Sequence, residues 1–152
     1  MFFKRSQKHK QIMIQSPLEG EILPLESVPD PVFSQKMLGD GFAVNPANGT
    51  VVSPIDGQVM NVFPTKHAVS LRDTNGKEIL IHVGLETVNL KGEGFTSFVT
   101  DGQKIRKGEK LLEVDFAAIK DKVPSIITTV VITNLNNHEK VVLDEQGALI
   151  VC

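Results

Sequence analysis

The sequence has a single cysteine, Cys152, and it is the last residue. One cysteine excludes an intrachain disulfide and a metal cluster built on thiolates, so we expect a reducing compartment. Long apolar runs are also absent, because no run approaches the roughly 18 residues of a membrane span. The basic start, MFFKRSQKHKQ, lacks the apolar core that a secretory signal requires. These absences predict a soluble, cytoplasmic protein.

An excess of charge of one sign is lacking as well. The chain has 16 Lys and Arg against 18 Asp and Glu, a net charge of −2, which excludes an overall field for binding nucleic acid. Its 152 residues, 41% of them hydrophobic, suit one globular domain and exclude disordered and fibrous classes. We predict a mobile basic tail over residues 1–14, with at most weak membrane contact through Phe2 and Phe3, and one domain over 15–152.

Short Val-, Ile- and Leu-rich segments alternate with Gly, Pro, Asn and Asp about every 8–12 residues, which predicts an all-β sandwich or barrel. No segment keeps a helical period beyond about three turns. Two short helices are expected, over 31–38 and over 115–122, the second with Asp115 as its N-cap. The predicted strands cover residues 20–25, 42–46, 50–53, 57–63, 68–72, 78–83, 95–99, 110–114, 125–132 and 140–143.

An internal repeat refines the fold. The segments SPLEGEI at 16–22 and SPIDGQV at 53–59 share Ser, Pro, an aliphatic residue, a carboxylate, Gly, a polar residue and a β-branched residue in the same order. Pro fixes φ and the acid-Gly pair turns the chain into a strand, so the repeat predicts that one type of corner is built twice.

A hairpin is predicted in FPTKHAVSLRDTNGKEILIHVGLETVNL, at 63–90, because Asn75-Gly76 between aliphatic runs favours a type I′ turn. With that turn at the centre, Val69 lies opposite His82. His67 then becomes a diagonal neighbour of His82 on the same face, with Cα atoms roughly 7–8 Å apart. The register therefore predicts that two imidazoles point at one small object.

The His67–His82 pair admits several chemical interpretations. A neutral imidazole is a nucleophile, and a phosphoryl group accepted by one ring could be held by the other ring, by backbone N–H groups and by the nearby hydroxyl of Thr65. Zinc binding is the rival, because two imidazoles are half of a tetrahedral ligand set. Two ordinary half-buried strand histidines are the third interpretation. The residues alone leave these alternatives open.

Three longer runs carry a family resemblance: VPDPVFSQKMLGDGFAVNP at 28–46, SPIDGQVMNVFPTKHAVSL at 53–71 and EILIHVGLETVNLKGEGF at 78–95. From about residue 16 to about 149 the chain resembles the glucose-type enzyme IIA (EIIA type 1) of the bacterial phosphoenolpyruvate-dependent sugar phosphotransferase system (PTS). The most specific part is H-[VI]-G-[LI]-[DE]-T-V-x-L-x-G-x-G-F, which starts at His82. The resemblance implies an antiparallel β-sandwich, often called a duplicated hybrid motif, over 15–152.

The resemblance also implies roles for four residues and for two partners. His82 would accept a phosphoryl group on Nε2 from the phosphocarrier protein HPr and pass it to a cysteine of a sugar-specific IIB domain. His67 would stabilise the phosphoryl oxygens, with support from the hydroxyl of Thr65. The carbonyl of Gly84 is placed to accept Nδ1–H of His82, which would fix the tautomer. The chain would thus be a phosphotransferase component with a phosphohistidine intermediate and no cofactor.

The family's docking surface implies a further set of residues. Asp30 and Glu86 would supply acidic groups at its edge, which would pair with a basic face of HPr and speed encounter. The chain would act as a monomer, serving uptake of glucose or a related sugar, with regulatory binding as a further role. A zinc ion held by His67, His82 and a partner's carboxylate stays open. The apolar ring around the histidines maps to Val32, Phe33, Leu38, Val44 and Phe63.

Two other protein classes have patterns related to this sequence. A lipoyl or biotinyl carrier would use a lysine near a turn, as Lys66 is, but such domains are about half this length and the histidines would have no role. Zinc peptidases of the lysostaphin type need a His-x-His pair, which the sequence lacks.

Overall fold

A computed structural model describes residues 11–152, which form thirteen short strands and two one-turn α-helices. Helix α1 spans Pro31–Ser34 and helix α2 spans Phe116–Ile119. Turns of 3₁₀ helix cover Leu25–Ser27, Thr87–Leu90 and Lys120–Lys122. The strands are β1 Gln11–Gln15, β2 Gly20–Pro24, β3 Asp40–Pro46, β4 Thr50–Val52, β5 Gly57–Val62, β6 Ala68–Asp73, β7 Glu78–His82, β8 Phe95–Ser97, β9 Lys104–Ile105, β10 Lys110–Val114, β11 Thr128–Ile132, β12 Lys140–Asp144 and β13 Gly147–Val151.

The strands form one large sheet and two small ones. The large sheet has the order β2-β3-β11-β7-β6-β5-β9, and the small sheets have the orders β1-β13-β12 and β4-β10-β8. Every strand pair in them is antiparallel. The predicted antiparallel β-sandwich is confirmed. No helix within residues 11–152 is long and apolar enough to cross a membrane.

The central strands of the large sheet bury one face in the main core. Because successive residues of a strand point to opposite faces, β7 sends Ile79 and Ile81 to that core, and β11 sends Val130 and Ile132. The opposite face is covered by a smaller apolar cluster that includes Leu25, Val28 and Phe33 from the segment around α1, together with Ala43, Leu85 and Val131. Strand residues on this second face include His82.

The repeated corner is confirmed. In each copy the serine hydroxyl bridges the same two backbone groups: Ser16 Oγ donates to Leu18 O at 2.6 Å, and Ser53 Oγ donates to Ile55 O at 2.7 Å. Both hydroxyls also accept from the N–H of that residue, at 3.3 Å. Each copy then enters a strand whose first residue is glycine. Glycine is required at this position because a Cβ on Gly20 or Gly57 would lie 2.0 Å from a carbonyl oxygen of the neighbouring strand.

Several predicted boundaries are wrong. Strands β1, β9 and β13 were not predicted, and residues 11–14 belong to β1, so the predicted tail is too long at its C-terminal end. The alternation of Ile12 and Ile14 with polar residues lets β1 pair with β13. The helix predicted over 31–38 ends at residue 34, because Lys36 already has a left-handed φ of 58°. Residues 1–10, with the predicted membrane contact, lie outside the described residues.

The predicted hairpin forms, but its register is shifted by one residue. Asp73 pairs with Lys77 around a three-residue loop, with Gly76 at φ 87°, instead of a two-residue type I′ turn. The Asp73 carboxylate accepts from the N–H groups of Asn75 and Lys77, at 2.8 Å each, and so stabilises the longer loop. His82 consequently lies opposite Ala68 and not opposite Val69.

Candidate functional site

His82 is the last residue of β7, in the middle of the large sheet, with Thr129 of β11 on one side and Ala68 of β6 on the other. Its Nδ1 lies 2.9 Å from the carbonyl oxygen of Gly84. A carbonyl only accepts hydrogen bonds, so Nδ1 carries the proton and Nε2 keeps a free lone pair. The ring is therefore held in the tautomer whose nucleophilic nitrogen is Nε2.

The backbone after β7 makes this hydrogen bond feasible. Gly84 has a φ of 70°, a conformation that side-chain-bearing residues rarely adopt. A Cβ at this position would lie 2.7 Å from Cγ2 of Thr87 and 3.0 Å from the carbonyl oxygen of Ser125. Only glycine fits here without rearrangement, so residue 84 is fixed by geometry.

His67 precedes β6 and reaches the same site by a local turn. With the observed register, a regular strand would send His67 and His82 to opposite faces. The strand begins only at Ala68, however, and Lys66 before His67 has a left-handed φ of 61°. The two imidazole rings consequently meet, with centroids 5.0 Å apart and planes at 82°. The predicted proximity is right, although the register used to predict it is wrong.

Thr65 and two aromatic rings fix the histidines in place. The hydroxyl of Thr65 lies 2.5 Å from Nδ1 of His67, so the Nε2 of His67 is the nitrogen left for other contacts. The ring of Phe33 lies 5.1 Å from that of His82, and the ring of Phe63 lies 5.6 Å from that of His67. Each imidazole is thus packed against one phenylalanine, which restricts its rotation.

Burial keeps both imidazoles neutral. Desolvation, together with a smaller effect of the neighbouring His82, lowers the pKa of His67 to about 4. Desolvation also lowers the pKa of His82, although the hydrogen bond to Gly84 and the charge of Asp30 act in the opposite direction. At neutral pH the site therefore holds two uncharged rings, and Nε2 of His82 is unprotonated.

Two of the five predicted apolar rim residues are exposed, Phe63 is half-buried, and the other two are buried. Val32 is 39% exposed and Leu38 is 43% exposed, whereas Phe33 is buried against His82. The assignment of Val44 to the rim is wrong. Val44 has no exposed surface and packs in the main core, because alternation along β3 sends it to the face opposite His82.

The two predicted acidic residues differ in their surroundings. Asp30 is the N-cap of α1, where its Oδ1 accepts from Val32 N–H at 2.9 Å, and its charge acts on His82. Glu86 is exposed and has a left-handed φ of 58° just before the 3₁₀ turn Thr87–Leu90. Within residues 11–152 neither acid has an ion-pair partner.

Sequence reasoning missed Thr129. This residue has no exposed surface, lies directly opposite His82, and its hydroxyl has no hydrogen-bond partner in the described part of the chain. The β-rich run TTVVI gives no sign that one of its two threonines faces the histidine. Only the register of β11 against β7 identifies it.

The same geometry bears on the lipoyl or biotinyl carrier and on the zinc site. Lys66 is exposed on the turn before His67. Over residues 11–152 there is no group of three or more His, Cys, Asp or Glu side chains that could hold a metal ion. Among these residues the histidine pair therefore has no further protein ligand to complete a zinc site.

Comparison with known proteins identifies the family. Residues 12–138 match the family described as phosphoenolpyruvate-dependent sugar phosphotransferase system, EIIA 1. The glucose-specific EIIA component of Oceanobacillus iheyensis is 52% identical over 141 residues, which cover 93% of this chain and 86% of that protein. The same component of Staphylococcus epidermidis is 46% identical over 150 residues, covering 99% and 90%.

A solved structure gives the same result. Glucose permease IIA from Mycoplasma capricolum superposes with a TM-score of 0.86 at 39% identity, covering 98% of each chain. These relatives support neither a lipoyl or biotinyl carrier nor a zinc peptidase. The chain belongs to the EIIA 1 family and is a phosphocarrier component of the sugar phosphotransferase system.

Proposed function

We propose that Nε2 of His82 accepts a phosphoryl group from phosphorylated HPr and passes it to a cysteine of a IIB domain, during uptake of glucose or a related sugar. The observation that carries this proposal is the 2.9 Å contact from Nδ1 of His82 to the Gly84 carbonyl, which leaves Nε2 as the nucleophile. The names of the relatives, which are glucose-specific EIIA components, support the choice of sugar.

The two transfers balance as simple displacements at phosphorus. In the first, the lone pair of Nε2 forms the N–P bond while the bond from phosphorus to the donor atom of HPr breaks, and its electron pair stays on HPr. In the second, a cysteine thiolate forms the S–P bond, and the N–P electron pair returns to Nε2. Such transfers require mainly alignment and preorganised donors. The neutral state of His82 leaves it ready for the first step without loss of a proton.

His67 is proposed to hold the phosphoryl oxygens. If the Thr65 hydroxyl donates to Nδ1 of His67, Nε2 of His67 carries the proton and can donate to a phosphoryl oxygen. The 5.0 Å between ring centroids is short enough for the second ring to contact a group on the first. Because the phosphoryl group is anionic, this contact strengthens as negative charge develops beside His67.

The surface around the site is proposed as the docking face for both protein partners. The exposed side chains of Val32 and Leu38 supply apolar contact, and Asp30 and Glu86 supply charge that attracts a basic partner.

We propose the cytoplasm as the compartment, which suits a chain whose one cysteine is a free, exposed thiol. We also propose that the chain acts as a monomer and that regulatory proteins could use the same face.

Reconstitution tests the proposed function. The chain is incubated with labelled phosphoenolpyruvate, enzyme I and HPr, and phosphate on the protein is assayed for the acid lability that distinguishes phosphohistidine. We expect one labile phosphate on His82, and the His82→Gln variant should take up none. His138→Gln is the matched control, because His138 is exposed in a polar turn. Labelling that persists in His82→Gln would refute the assignment of the acceptor.

A further inference from the structure

Thr129 carries an unexplained polar group. The residue is fully buried, and its Oγ1 has no hydrogen-bond partner within residues 11–152. Other buried hydroxyls are paired: Thr87 Oγ1 donates to Val83 O at 2.6 Å, and Thr128 Oγ1 donates to Ile126 O at 3.2 Å. A buried hydroxyl without a partner loses its hydrogen bonds to water and forms none in the protein, which costs free energy. Such groups are therefore rare in folded proteins and call for an explanation.

The position of Thr129 suggests that reason. In an antiparallel pair, directly opposed residues share a face and have Cβ atoms about 4.5–5.5 Å apart. Thr129 is the residue opposed to His82 across β11 and β7, and Ala68 is opposed to His82 on its other side. The His82 side chain is thus flanked by an unpaired hydroxyl on one side and by a methyl group on the other.

On the basis of the proposed function, we propose that the Thr129 hydroxyl is a phosphoryl-binding group, which donates a hydrogen bond to a phosphoryl oxygen once His82 is phosphorylated. The hydroxyl keeps its proton, and no bond of Thr129 is made or broken in either transfer. Within residues 11–152 of the unphosphorylated protein this donor has no acceptor. Its hydrogen bond therefore forms only with the phosphoryl group present and favours the phosphorylated state selectively.

The test compares three variants. Thr129→Val removes the hydroxyl and keeps the β-branched shape, Thr129→Ser keeps the hydroxyl, and Thr128→Val removes the adjacent hydroxyl, which belongs to a residue on the opposite face and is already paired with Ile126. The equilibrium of phosphoryl transfer between HPr and the chain is measured by quantifying phosphate on each protein. Thermal unfolding of each unphosphorylated variant is measured in parallel.

We expect Thr129→Val to shift the transfer equilibrium toward HPr by about tenfold, the loss typical of one hydrogen bond to a charged group. Thr129→Ser and Thr128→Val should match the wild type. The unphosphorylated Thr129→Val protein should unfold at a midpoint no lower than the wild type, because the hydroxyl that it loses is unpaired.

Three results would overturn this inference: an unchanged equilibrium in Thr129→Val, an equal shift in Thr128→Val, or a lowered unfolding midpoint that accompanies the shift in Thr129→Val. The proposed function fails differently. If wild-type protein takes up no phosphate at His82, that function is refuted, whereas a labelled wild type with an unperturbed Thr129→Val refutes only the role of Thr129.

Discussion

Two neighbouring rows of residues cross the same strands and have opposite character. The row through Ile81 contains Val69 of β6, Val130 of β11 and Phe42 of β3, and all four side chains lie in the main core without exposed surface. The row through His82 contains, on the same strands, Ala68, Thr129 and Ala43. We call these the Ile81 row and the His82 row.

The comparison shows how a rigid sheet can support a reactive site. The Ile81 row is apolar and closely packed, so it fixes the strands in place. The His82 row is offset from the Ile81 row by one residue on each strand and therefore points to the opposite face. It carries an imidazole that resists protonation and a hydroxyl that has no hydrogen-bond partner in the described part of the chain, with alanines on either side of that pair. Stability and chemistry are thus assigned to alternate residues of the same strands.

The largest expected effect is a separation of stability from activity between the two rows. Ile81→Ala should lower the free energy of unfolding by about 2–5 kcal/mol, because it leaves a cavity in the core. His82→Gln should lower it by less than Ile81→Ala does, since glutamine keeps most of the side-chain volume and leaves a smaller cavity, yet should abolish phosphate uptake. Urea unfolding and phosphate labelling are measured on both variants. A greater loss of stability in His82→Gln than in Ile81→Ala would contradict the assignment of stability to the Ile81 row.

The second expected effect separates the two histidines. His67→Gln should still accept phosphate on His82, because the nucleophile and its Gly84 contact are unchanged. Transfer onward to a IIB domain should fall by about a hundredfold, the lower range for loss of a positioned catalytic group. Single-turnover transfer from the labelled variant measures this step, and the Lys66→Gln variant is the adjacent control. Equal losses in both steps would contradict the division of roles.

The third expected effect is on pH dependence. In the folded chain the pKa of His67 is lowered from 6.5 to about 4, so between these pH values the unfolded chain binds a proton that the folded chain does not. The free energy of unfolding should therefore decrease as pH falls through this window. His67→Gln should show a shallower decrease than wild type in urea unfolding at a series of pH values. Parallel curves for the two proteins would argue against a buried, neutral His67.

The smallest expected effect concerns the charged edge of the His82 face. Asp30→Asn removes the charge but keeps an oxygen that can cap α1. Glu86→Gln also removes a charge, from a side chain that has no capping role. Each should slow phosphate acceptance from HPr a few-fold at low salt and hardly at all at high salt, because rim charges act mainly on encounter. An effect independent of salt would indicate a contact other than charge steering.

The sequence was most informative where local chemistry determines the conformation. The repeated Ser-Pro corners and strand β10 were predicted correctly, since each depends on residues close together in the chain. The loop after Asp73 was mispredicted because the Asp73 carboxylate stabilises a longer turn than Asn75-Gly76 alone would favour.

The site was predictable only in part for a similar reason. His67, His82 and Gly84 lie in segments joined by one hairpin, so their proximity followed from local sequence together with the family resemblance. Thr129 lies 47 positions after His82 in the chain and reaches it only through the pairing of β11 with β7. Val44 was misassigned because the sequence does not reveal which face of β3 is covered by the main core.

The central claim is that Nε2 of His82 is the atom that receives the phosphoryl group. A ¹⁵N NMR spectrum of histidine-labelled protein, recorded before and after phosphorylation by HPr, tests it most directly. The account predicts a neutral His82 with its proton on Nδ1 in the first spectrum, and ³¹P coupling to Nε2 of His82 in the second. A proton on Nε2 before the reaction, or coupling to Nδ1 or to any other residue after it, would contradict the account.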